Sequence, residues 1–251
     1  MTDTDSSAPG PGTGRWLASH FATHFAILAL LWPALAPAEE RPAAKPSAHE
    51  TAAAFLKQQD DVSAVTQVVL RERQARDNGW WDRMLATYWP DSRVDVSWYH
   101  GDGPGFVHAS RKLSAGGVVG KHRMFAPIVD IRGNKAHVEI GSRNWSQLKV
   151  DGKTVNLNAN MRINYRLEKR DGEWKILSLQ PIYEHSELTP DVPGETLVIP
   201  AAELAKYRPS YAALSWALTR KGLTMSQTEI GIDRPDDVNA LYASIEKWLS
   251  E

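Results

Sequence analysis

The chain has no cysteine among its 251 residues. Disulfides, zinc–thiolate sites and a cysteine nucleophile are thereby excluded. The compartment stays open, because an exported protein can also do without cysteine. No charge of either sign dominates: 29 Lys and Arg stand against 30 Asp and Glu. A nucleic-acid face needs clustered basic charge and a disordered acidic tail needs the reverse, so neither is indicated. No apolar run reaches the roughly 20 residues that a stable membrane span requires. The body of the chain has no Walker loop, dinucleotide fingerprint or metal-ligand spacing, so no cofactor is expected. What the chain does have is tryptophan, ten of them. Large rings line pockets as well as cores, and core is the commoner use.

The first 50 residues form a separate object. Residues 1–15 are polar and rich in Gly and Pro, and bury too little apolar surface to offset the entropy of ordering. Phe21 to Leu35 is apolar, and Ala34-Leu35-Ala36 and Ala36-Pro37-Ala38 are small-x-small cleavage patterns. Residues 1–38 thus have two readings: a signal peptide cleaved on export to the periplasm or outside, or a disordered leader on a cytoplasmic protein. Asp3, Asp5, His20 and His24 weigh against the first. His20 and His24 have metal-ligand spacing on a helix, but no third ligand is near. The Pro/Ala/charged segment after them makes 39–60 a linker.

From Asp61 the pattern changes. Val62, Val65, Val69 and Leu70 recur at helical spacing. Asp77-Asn78-Gly79 breaks that helix, Trp80 to Trp89 resumes it, and Pro90-Asp91 ends it. Arg93 to Tyr99 alternates as a strand, and Phe106 to Leu113 is a short helix. Gly133-Asn134, Asp151-Gly152 and Asp171-Gly172 are hairpin signals. They separate four extended runs: 118–132, 135–150, 153–170 and 173–188. In the third, Val155, Leu157, Ala159, Met161, Ile163 and Tyr165 share one face. Asn156, Asn158, Asn160, Arg162, Asn164 and Arg166 share the other, expected at solvent or a subunit interface. Helices followed by a meander make an α+β domain over 61–199. Beyond it, 200–251 has helical spacing in Tyr211, Leu214 and Leu218, and in Leu241, Ile245 and Trp248. This extension is expected to pack on the domain.

The order helix, Asp77-Asn78-Gly79-x-Trp81, helix, strand, short helix and long strands resembles the SnoaL-like branch of the nuclear transport factor 2-like superfamily. The strings RDNGWWDRMLATYWPDSRVDVSW, GKHRMF, RLEKRDGEWKI and PIYEHSELTP carry the resemblance. It implies a cone-shaped, curved antiparallel sheet wrapped around the N-terminal helices. It also implies a homodimer through the sheet, and a pocket for a hydrophobic small molecule. Known activities of the family include dehydratase, isomerase and cyclase chemistry without a cofactor, and some members have no enzymatic activity.

The resemblance also implies that Asp77 holds His122, which removes a carbon-bound proton. Imidazole exchanges protons near neutrality, and a buried carboxylate fixes its tautomer. From spacing alone the readings stay open, since Asp77 also suits a helix cap and His122 an ordinary strand. Glu72 and Leu179 stand where the dehydrochlorinase pattern has a lysine and an arginine. Without those cations a leaving chloride lacks electrostatic support. Substrate-binding candidates are Trp81, Trp98, Tyr99, Trp145, Tyr165 and Tyr183, with Asn158 and Asn160 as further polar candidates; for each, a packing role competes. Tyr183-Glu184-His185, after Pro181, suggests a strand edge, and His137, after a turn, is expected at solvent. A lyase or isomerase acting on a hydrophobic carbonyl compound is the favoured function. A non-catalytic binding protein or a dimeric interaction module of the same fold is the alternative.

Overall fold

The computed structural model describes residues 48–117 and 120–251. The signal-peptide reading, His20, His24 and the linker up to residue 47 lie outside the described residues. Pro46–Glu251 forms one compact unit. Its long first helix, α1, runs Ala48–Asn78. It therefore begins well inside the expected linker; Ala52, Ala53 and Ala54 have high helix propensity and no proline follows Pro46 to interrupt them. From residue 56 to residue 60 its side chains are exposed. The first pins are at Asp61, whose carboxylate accepts from Lys169 Nζ at 2.7 Å and Trp174 Nε1 at 2.8 Å.

Gly79, at φ +70°, ends α1 in the left-handed conformation that glycine adopts without cost. A single helical turn, α2 (Trp81–Leu85), follows. The helix expected over 80–89 stops there, because the chain is already a strand from Tyr88. The aromatic and β-favouring residues of β1 (Tyr88–Val96) pair instead with the sheet. A short β2 (Tyr99–Asp102) turns back on it. Helix α3 (Gly103–Ala115) is capped by the Asp102 carboxylate, which accepts from Gly105 N at 2.6 Å.

Strands β3 (Gly120–Arg132), β4 (Lys135–Val150), β5 (Lys153–Arg170) and β6 (Glu173–Pro190) form the expected antiparallel meander. Both Asp–Gly turns have positive φ at each central residue, the conformation tight hairpins need. β1 then joins the far side of β6 in parallel, so the six-stranded sheet is mixed, in the order β2-β1-β6-β5-β4-β3. The strands bulge between Met124 and Pro127, Asn160 and Met161, and Arg166 and Leu167. Such bulges increase local twist and bend. The six alternating apolar residues of β5 are buried on the inner face, against α1.

The tail adds α4 (Ala201–Leu204), a 3-10 turn (Pro209–Tyr211), α5 (Ala212–Thr219) and α6 (Pro235–Ser250). Helix α5 packs on the inner side of β5 and β6, and Leu214 N donates to Ser186 Oγ at 3.1 Å. Helix α6 lies on the opposite face. Its Leu241, Ile245 and Leu249 cluster with Ile182, and Tyr242 meets Glu139 and Arg162. The polar face of β5 is thus partly roofed by the chain itself; Asn158 and Asn164 are buried. His137 is also buried, bonded through Nε2 to Asn164 Oδ1 at 2.8 Å, so its expected exposure does not hold. No helix among the described residues is long and apolar enough to cross a membrane.

Candidate functional site

The site grows from the inward stripe of α1. Val65, Val69, Arg73 and Arg76 follow one another at helical spacing, so two arginines extend an apolar stripe into the interior. Arg73 survives there because Glu72, itself wholly buried, pairs with it through both oxygens; the Arg73 Nη2 to Glu72 Oε1 distance is 2.7 Å. Tyr88 donates to the same carboxylate at 2.9 Å and Tyr165 at 3.4 Å. Burial works against the Arg73 cation, but Glu72 outweighs it and holds its pKa well above the ordinary value. Burial raises the hydroxyl pKa of Tyr88 and Tyr165, with Glu72 reinforcing it.

One turn on, at the end of α1, Asp77 meets β3. Its Oδ1 lies 2.6 Å from His122 Nδ1 and its Oδ2 accepts from the backbone N–H of His122 at 2.6 Å. Lys121 Nζ reaches the carbonyl of Asp77. The His122 side chain is 4% exposed and that of Asp77 11%. Burial dominates the imidazole and brings its pKa down to about 4; Asp77 opposes this and the Arg73 and Arg76 charges add to it. For Asp77, burial pulls upward, but the two hydrogen bonds from His122 prevail and hold the carboxyl below its usual range. At neutral pH the pair is an ionised carboxylate accepting from a neutral imidazole, with Nε2 left as the basic nitrogen.

This protonation state gives stability a pH dependence. His122 binds a proton near pH 6.5 when unfolded and only near about 4 when folded. Its contribution is complete above the unfolded value and is lost as pH falls through the folded one. Urea unfolding between about pH 7 and 4.5 should show a loss on the order of 2–3 kcal/mol from this group. His122→Gln should flatten that slope; an unchanged slope would assign the dependence elsewhere.

His122 lines a partly open cavity of about 70 Å³ between α1, α3, the inner face of the sheet and α5. The charged side chains on its wall are Arg73 and Arg76; the walls are otherwise largely apolar, with Leu157, Met161 and Leu179 from the sheet and Leu214 and Leu218 from α5. Asn144, opposite His122 in register, also lines it. Tyr183 faces it too, its hydroxyl donating to Ser97 Oγ and accepting from Ser97 N, each at 2.9 Å. Next to the cavity is a more open cleft of about 300 Å³, and Trp98 and Leu113 line both.

The structure thus brings Asp77, His122, Trp98 and Tyr183 together and leaves the other sequence candidates apart. Trp81 lines a smaller recess shared with Arg76 and Asp77. Tyr99 packs between Trp98 and Phe106 and bonds the Asp102 carbonyl at 2.9 Å. Tyr165 is core beneath Glu72. Trp145 is on the outer face, half-exposed and bonded to Asn156 at 2.9 Å, and Asn158 is there too, bonded to Arg143 at 3.1 Å. Asn160 falls on that face by alternation. The strand edge expected at Tyr183 is covered by the tail: β1 pairs with β6 only as far as Leu179, and beyond it Tyr183 N donates to Ile230 O at 2.9 Å while Ile232 N donates to Tyr183 O at 3.0 Å. Glu72 and Leu179 do leave their two positions without a cation, yet Arg73 and Arg76 bring guanidiniums to the cavity from the same helix. The site therefore does carry positive charge. Arginine on the apolar stripe was the signal for it. Asn144 and Ser97 had no comparable signal. Among the described residues no cluster of three or more His, Asp or Glu is arranged to hold a metal ion.

Two curated relatives come from Fusarium vanettenii. A PEP2-like protein is 23% identical over 185 residues, and pea pathogenicity protein 2 is 22% identical over 187; each alignment covers 69% of this chain and 79% of the relative. Among solved structures, a hexachlorocyclohexane dehydrochlorinase of type 3 from Novosphingobium barchaimii has 16% identity and a TM-score of 0.47, covering 58% of this chain and 99% of that one. An NTF2-like protein with a cystatin-like fold from Novosphingobium aromaticivorans has 16% identity and a TM-score of 0.44, covering 54% and 88%. Residues 58–180 match the family model of the SnoaL-like domain, so this part of the chain is similar to that family.

Proposed function

We propose that this chain is a cofactor-independent lyase or isomerase acting on a carbonyl compound with an apolar body. In this reading His122 is the base. Its Nε2 takes a proton from the carbon next to the carbonyl, and the C–H electron pair moves into an enolate. A lyase then expels a leaving group from the neighbouring carbon as the double bond forms; an isomerase returns the proton elsewhere. Asp77 acts through His122, holding the Nδ1–H tautomer and stabilising the imidazolium. Arg73 and Arg76 stand where negative charge develops, and such preorganised charge is worth most in a water-poor site. That negative charge in turn offsets the two cations that depress the imidazole, so the base strengthens as the reaction proceeds.

The observation that supports this best is the 2.6 Å contact of Asp77 Oδ1 with His122 Nδ1, on a buried ring that lines the cavity. A positioned base contributes about 10²–10⁴-fold. Turnover of polyketide, steroid and hydroxy-ketone substrates can be screened by mass spectrometry, and His122→Ala should lower kcat by about that factor on any active compound. Undiminished turnover in His122→Ala overturns the assignment. A ligand that binds without turnover would favour a binding protein instead.

A further inference from the structure

The cavity wall is asymmetric in charge and in hydrogen bonding. Arg73 and Arg76 line it, while Glu72 and Asp77 lie behind it with their oxygens engaged by Arg73, Tyr88 and Tyr165 and by His122. Arg73 is matched by Glu72. Arg76 is not matched in this way: among the described residues its one hydrogen bond is Nε to Ser110 Oγ at 3.4 Å. A guanidinium fork has several further donors. The Trp98 and Phe106 rings each lie 5.7 Å from its Cζ, and Glu72 and Asp77 act on its charge without bonding it. Burial, then the Arg73 charge, push its pKa down to about 10 while Glu72 and Asp77 oppose them, so this half-buried group is a cation at neutral pH. Across the cavity, Asn144 Oδ1 is buried and has no hydrogen-bond partner among the described residues. A buried acceptor of this kind lacks a donor.

We infer that the site takes a hydroxy acid, with its carboxylate on the free donors of Arg76 and its hydroxyl donating to Asn144 Oδ1. A carboxylate matches a guanidinium fork in shape and charge. The inner cavity, at about 70 Å³, is well below the roughly 300–1,000 Å³ typical of drug-sized ligands. It holds the polar end, and an apolar tail extends past Trp98 and Leu113 into the adjoining cleft. This specifies the substrate class for the reaction proposed above and rests on that reading for its chemistry, but not for its binding.

The test is calorimetric titration of the full chain at neutral pH and low salt with 3-hydroxyoctanoate, its primary amide and octanoate. The hydroxy acid should bind at least about tenfold more tightly than the amide, the loss expected for one charge-assisted hydrogen bond. Octanoate should be weaker than the hydroxy acid. Arg76→Met should erase the preference for acid over amide, and Asn144→Leu the preference for hydroxy acid over octanoate. Equal binding of acid and amide, or no binding of any of the three, overturns the inference. So does an acid preference that survives Arg76→Met and disappears in Lys112→Ala or Lys221→Ala, since that would place the carboxylate on the cleft rim. His122→Ala should keep the acid binding. Hydroxy-acid binding without turnover leaves this inference standing and counts against the lyase reading. Turnover of a neutral ketone with no acid preference does the reverse.

Discussion

Glu72→Ala should destabilise the fold by about 3–5 kcal/mol, the cost of leaving a buried charge without its partner. Arg73 is 5% exposed and Glu72 is its carboxylate partner. The same substitution leaves the Tyr88 and Tyr165 hydroxyls without their acceptor. Urea unfolding reads the effect as a lower midpoint. The double variant Glu72→Leu with Arg73→Met should recover much of the loss, because removing both members of a buried pair is often close to neutral. A single-variant loss below about 1 kcal/mol would mean that Arg73 finds another acceptor or reaches water.

Asp77→Asn should lower turnover by about 10²–10⁴-fold while the chain stays folded. The carboxylate accepts twice, from the His122 backbone N–H and from Nδ1. Asparagine has one oxygen and one NH₂ in the same place. If its oxygen keeps the backbone N–H, its NH₂ faces Nδ1, and the imidazole moves its proton to Nε2. The base nitrogen is then already protonated. Ring ¹⁵N shifts of His122 report the tautomer directly: Nδ1–H in the unsubstituted protein and Nε2–H in Asp77→Asn. The opposite tautomers, or an unchanged kcat, would remove Asp77 from the mechanism.

Much of the fold was legible in the sequence because its signals are local. Three Gly-containing turns and the period-two run of β5 marked the hairpins, and the strand boundaries follow from them. The family resemblance points to Asp77 and His122; spacing alone leaves open whether Asp77 caps a helix or holds a histidine. What stayed hidden is non-local. Nothing near Tyr88 announces that β1 pairs in parallel with β6 and cuts the second helix short, and nothing near Tyr183 announces that residues 230–232 pair with it. Nothing near Trp145 says which side of the sheet faces inward, because α1 and α5, far from it in sequence, cover that side. Arg73 and Arg76 were legible in principle, as charges on an apolar stripe.

The placement of β1 also sets an order of assembly. Val94 pairs with Leu179, and the two leave the ribosome far apart in time; at about 5–20 residues per second the interval is several seconds or more. During it, β1 has only β2 beside it, and the apolar groups it later buries are open to misassociation. Asp77 and His122 emerge much earlier, so the acid–base pair can form before its cavity has a complete wall. The last wall comes from Leu214 and Leu218. A growing chain therefore lacks this wall until α5 is made, and the turnover proposed above, if tested on nascent chains of increasing length, should switch on late and abruptly rather than in proportion to length.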